Sequence, residues 1–226
     1  MRRSYTVKLL ESPRQVSKIY RLTNEIFSAV THGIGVVLAV IGAVLLIIKA
    51  CTHGSLQASE LSSYLIYSFT LFFLYLCSTL YHSLYFTRAQ HVFQILDHSS
   101  IFLLIAGTYT PFCVLGIPQP LNWWLLGTIW AITIGGIIYK IFNVGHHPVI
   151  DTSLYVIMGW MVVVAMKPLH QALGDTGIAL LFWGGVAFTA GALLYIMRGI
   201  KYIHVIWHLF VMLGTGLMFF AVYFYL

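Results

Sequence analysis

Apolar runs alternate with short polar breaks along nearly the whole chain. Seven of them, at 26–49, 61–82, 93–115, 123–142, 153–166, 178–197 and 203–226, predict membrane-crossing helices. A helix needs about 20 apolar residues to span a hydrocarbon core ~30 Å thick. The fifth run is short and is predicted to lengthen through a tilted end. Small residues punctuate two runs at helical spacing. Gly35, Ala39, Gly42 and Ala43 mark the first, and Gly184, Ala187, Ala190 and Gly191 the sixth. Such faces let helices approach closely where lipid provides no hydrophobic driving force. Gly107-Thr108-Tyr109-Thr110-Pro111 interrupts the third run and predicts a kink. The expected architecture is an all-α membrane protein, a seven-transmembrane helix bundle.

Composition agrees. Hydrophobic side chains make up 60% of the 226 residues and charged ones 8%, against about 25% charged in soluble domains. No soluble domain, repeat or low-complexity tract stands out, and no cleavable signal peptide is read. Residues 1–24 form a basic leader ahead of the transmembrane domain at 25–226. Arg14, Lys18 and Arg21 share one face of it, and Val16, Ile19 and Tyr20 another. That pattern fits either an interfacial helix on an anionic surface or a disordered basic tail.

The net charge of +6 does not point to nucleic acid, because its cations sit mostly in short loops. The leader, Arg88, Lys140, Arg198 and Lys201 fall on one side of a seven-span topology, and only Lys49 and Lys167 on the other. The positive-inside rule then puts the N-terminus in the cytoplasm and the C-terminus outside. Cys51, Cys77 and Cys113 have no paired spacing and no disulfide or metal pattern, and Cys77 and Cys113, within apolar runs, read as packing residues.

The polar residues inside the apolar runs carry the chemistry, since ionisable groups at membrane depth are costly. With the orientation taken from Lys and Arg alone, His82 ends the second span on the cytoplasmic side. Asp97 begins the third there, and His204 and His208 the seventh. His204 and His208 are four residues apart, so both imidazoles leave one helix face. Ser78 stands in the same relation to His82. Three histidines and a water make a tetrahedral zinc site with one open position. Asp97 would orient and deprotonate that water, and Ser78 would support the transition state. His98, about 100° around the helix from Asp97, is expected to face elsewhere. His32 either lines the cavity or bridges helices. His53, His91 and His170 read as interfacial, His146-His147 as a solvated turn, and Asp151 and Asp175 as helix N-terminal carboxylates.

These residues resemble the hemolysin III family, the bacterial branch of the progestin and adiponectin receptor proteins. The resemblance rests on Glu25 with Thr31-His32, Ser78 with His82, Asp97-His98 leading into Ala106 to Pro111, and His204 with His208. It implies a seven-helix protein of the bacterial plasma membrane with a cytoplasmic N-terminus. It also implies zinc held by three histidines, matching His82, His204 and His208, with Asp97 and Ser78 adjacent. Distant relatives, the alkaline ceramidases, hydrolyse a lipid amide at a comparable site, and the bacterial branch is associated with membrane-fluidity homeostasis. The expectation is a zinc-dependent hydrolase of a lipid amide or ester, with membrane lipids as partners and a lipid-derived substrate. The alternatives are a non-enzymatic sensor or receptor with structural zinc, and a pore-forming or haemolytic protein.

Overall fold

The computed structural model describes residues 18–52, 57–197 and 200–226. The leader up to Ser17, His53 and Arg198 lie outside them. The described chain is helical: α1 Lys18–Thr52, α2 Ala58–Ser83, α3 Gln90–Pro111, α4 Leu121–Asn143, α5 Pro148–Trp160, α6 Met166–Ile196 and α7 Ile203–Tyr225. Six continuous helical stretches have the length and apolar composition to cross a membrane.

The outer surface is apolar, as a lipid-facing surface must be. Val30, Val37 and Val44 of α1 point outward, as do Trp124 and Phe142 of α4 and Phe224 of α7. The opposite face of α1 is polar or small: Glu25, Ser28, His32, Gly35, Ala39 and Gly42 are buried at helical spacing. Close approach is literal at the α6–α7 interface. A Cβ on Gly191 would sit 2.6 Å from Phe210 Cβ, and one on Gly214 would lie 2.8 Å from the Phe188 ring.

Three boundaries differ from the sequence pattern. Helix α1 starts at Lys18, so the end of the leader is its first two turns, and 24/25 is not a break in the fold. The Ile19 and Tyr20 periodicity simply continues the helix. Helix α5 starts at Pro148 rather than at Ser153, with proline in the first turn, where its missing N–H costs nothing. After a 3-10 stretch at Met161–Ala165 the chain runs on into α6. The fifth and sixth predicted runs therefore lie in one helical stretch, Pro148–Ile196, of 49 residues. At 1.5 Å per residue that is about 74 Å of helix, more than twice a bilayer core. Its backbone leaves helical geometry at Gly174, with φ 65° and ψ −176°.

At Pro111 the helical form changes, and the backbone dihedrals there stay helical. The chain passes from α3 into a π-helical turn, Phe112–Gly116. Thr108 and Thr110 donate to the carbonyls of Leu104 and Ala106, at 2.8 Å each, rather than to the Gly107 carbonyl that Pro111 leaves without its usual donor.

Candidate metal centre

Helix α1 packs antiparallel on α2, and two contacts set its register. Glu25 meets His82, and seven residues along α1 the His32 ring meets Tyr75, seven residues back along α2. Glu25 Oε2 lies 2.7 Å from His82 Nδ1. A carboxylate can only accept, so Nδ1 carries the proton and the Nε2 lone pair turns the other way. Asn24 Nδ2 donates to the second carboxylate oxygen at 3.2 Å, which further offsets the cost of burying that charge.

Helix α7 supplies the other two rings. His208 Nδ1 donates to the Ser28 carbonyl at 3.2 Å. It also lies 3.3 Å from Thr31 Oγ1, whose own proton goes to the Phe27 and Ser28 carbonyls. The Nε2 of His208 therefore has its lone pair free. His204 Nε2 lies 3.0 Å from His82 Nε2.

The ligand-capable nitrogens of His82, His204 and His208 all lie within 4.8 Å of one another. Two nitrogens on a tetrahedral zinc, each ~2.05 Å from the ion, would be about 3.4 Å apart. The observed 3.0 Å is near that value. Two of the three rings already have Nδ1 committed to an acceptor, as metal-ligating histidines do. The cluster could therefore bind a metal ion.

The cluster opens on a cavity of about 520 Å³. Ser78 and Asp97 line it with the histidines, so the structure brings all five predicted site residues to one space. Ser78 Oγ is buried with no hydrogen-bond partner among the described residues. His98 lines the cavity too, contrary to the 100° argument, because the cavity wraps more than one face of α3. Its Nδ1 donates to the Gln94 carbonyl at 2.9 Å. His32 lines the same space and stacks on His208, ring centroids 3.6 Å apart. His170 and Asp175 pair with each other at an exposed position, 2.7 Å apart.

Two features escape the sequence reading. Asp97 is not the lone carboxylate here, since Glu25 and Asp151 also line the cavity. Lys140, counted among the cytoplasmic-side cations from the end of the fourth run, is completely buried and forms an ion pair with Asp151 across α4 and α5. Each had a signal: Glu25 opens one apolar run, and Lys140 sits inside the end of another. An ionisable group at such a position calls for a partner, but the partner comes from another helix.

The Haemolysin-III related family matches residues 20–219. Hemolysin-3 of Bacillus cereus is 45% identical over 212 residues, covering 92% of this chain and 96% of that one. The Hemolysin-3 homolog of Bacillus subtilis strain 168 is 42% identical, with the same shares covered. The human Monocyte to macrophage differentiation factor is 27% identical over 202 residues, 87% of this chain and 82% of its own.

Proposed function

The chain belongs to the Haemolysin-III related family, and from that premise we propose a zinc-dependent membrane hydrolase acting on a lipid amide or ester. The observation that carries the reading is the paired commitment of Nδ1 in His82 and His208, which leaves the Nε2 of each as the nitrogen with a lone pair to offer an ion. His82, His204 and His208 would hold the ion. When bound, zinc supplies a Lewis acid that polarises a carbonyl and acidifies water.

The chain's own residues do the rest. Glu25 fixes the tautomer and rotation of His82, and the Ser28 carbonyl and Thr31 do the same for His208. Asp97 takes a proton from the attacking water as its oxygen adds to the carbonyl carbon. Ser78 donates a hydrogen bond to the carbonyl oxygen as it gains charge. Asp97 returns the proton to the leaving nitrogen or oxygen as the C–N or C–O bond breaks. The products are a fatty acid and an amine or alcohol. The apolar far wall of the cavity, at Trp160, Gly185 and Met218, suits an acyl chain, and through such turnover the protein would adjust membrane fluidity.

The reading includes a topology. The Pro148–Ile196 stretch turns at Gly174 and crosses twice, which makes seven spans. Lys140 drops out of the charge count because Asp151 neutralises it, yet the leader, Arg88, Arg198 and Lys201 still outweigh Lys49 and Lys167. The N-terminus is then cytoplasmic and the C-terminus outside, in the bacterial plasma membrane.

Metal analysis of purified protein beside a His204→Ala/His208→Ala variant is the first test. Near-stoichiometric zinc lost in the variant supports the site, and zinc in neither removes it. Loss of reconstituted lipid hydrolysis in Asp97→Ala then separates turnover from metal binding alone. A second reading rests on the 3.0 Å contact joining α2 to α7: zinc as a structural clasp in a non-enzymatic sensor. It predicts destabilisation on metal removal and no hydrolysis at any stage.

A further inference from the structure

His32 belongs to neither the ligand set nor the network that orients it. It is 3% exposed, and both ring nitrogens are buried without a hydrogen-bond partner among the described residues. A buried polar atom left unpaired is costly, and a neutral imidazole has both a donor and an acceptor to satisfy. Its ring neighbours do not help. Tyr75 meets it edge-on, and the Tyr75 hydroxyl is already engaged with Thr215 at 2.6 Å. His208 lies parallel to it, at an interplanar angle of 10°, so that contact is ring face to ring face. Stacking holds the imidazole rigid while leaving its edge free.

His32 shares the cavity wall with an equally unpartnered hydroxyl. The register through Glu25–His82 and His32–Tyr75 places Ser78 between the two contacts on α2. Ser78 Oγ is also buried and unpaired. Two buried hydrogen-bonding groups without partners thus line the cavity together with the metal-capable cluster, and an oxygen there would satisfy both.

We propose that His32 is a ligand-contacting residue. Its ring N–H donates to a carbonyl- or carboxyl-type oxygen of the molecule bound at the histidine cluster, with Ser78 beside it. The inference rests on the metal reading and deepens it by assigning the second oxygen contact.

The test uses the full chain in detergent, loaded with Co(II), as wild type, His32→Phe and His32→Gln. Acetohydroxamate, which presents two oxygens, is titrated while the visible cobalt spectrum is followed. All three proteins should hold equal cobalt. Acetohydroxamate affinity should fall about tenfold in His32→Phe, the size of one hydrogen bond to a ligand, and stay within about threefold in His32→Gln, which retains a donor. His32→Leu replaces the Phe variant if that one does not fold. Wild-type affinity in the apolar variant makes His32 a packing residue and overturns the proposal. So does equal weakening in the Phe and Gln variants. Loss of cobalt in His32→Phe alone also overturns it, by assigning His32 to support of the ligand set. Wild-type protein that takes no cobalt removes the metal reading, and the proposal with it.

Discussion

Two carboxylates are buried against nitrogen partners on opposite sides of the cavity, and they do different things. Asp151 meets Lys140, and that ammonium has no lone pair to offer anything else. The pair joins α4 to α5 and ends there. Glu25 meets His82 on the α1–α2 side, and the imidazole has a second nitrogen. Fixing Nδ1 aims Nε2 at His204. The same electrostatic motif stops at one pair in the first place and leads on to a second ring in the other, because a neutral imidazole keeps a lone pair on its second nitrogen and an ammonium has none.

Substitutions can break that contrast. The largest effect should come from His204→Ala/His208→Ala, which removes two of three ligands; bound zinc, read by elemental analysis, should vanish. Lys140→Met should follow. It strands Asp151 in the bundle, and breaking a buried pair from one side costs about 3–5 kcal/mol. Thermal unfolding in detergent should show a sharp loss, whereas Lys140→Met with Asp151→Leu should recover most of it. Zinc content in the folded fraction should be unchanged in both, and loss of zinc would mean that the two sides are coupled.

Glu25→Gln tests the other pair. The amide still accepts from His82 Nδ1 but without charge, so zinc affinity should fall about 10–100-fold, the usual cost of losing an outer-shell partner. A competitive chelator titration reads it, and unchanged affinity would reduce Glu25 to packing. The smallest effect is expected from Thr31→Val. His208 Nδ1 keeps the Ser28 carbonyl, so affinity should shift by no more than about threefold, in line with one weak hydrogen bond.

Much of this was legible from residue order. The apolar runs located the helices, and the i, i+4 pairs Ser78/His82 and His204/His208 placed each pair on one face, because helical periodicity is a local property. The joining of the fifth and sixth runs was harder to see, since 3-10 geometry after Trp160 carries the chain from α5 into α6 without leaving the helix. The burial of Lys140 was hidden too. A cation near the end of an apolar run looks the same whether it reaches water or a buried carboxylate.

What the sequence by itself determined was the set of helices, their apolar exteriors and the short-range companions of each polar residue. Tertiary structure alone decided that Glu25, 57 positions from His82, holds its Nδ1. It also decided that Ser28 and Thr31 hold His208, that His32 lies flat against it, and that Asp151 neutralises Lys140. Spacing along a helix says which side chains share a face. The rotation and register of one helix against another follow from packing across the bundle, such as Gly191 against Phe210 and Gly214 against Phe188, and only that packing chooses which face meets which.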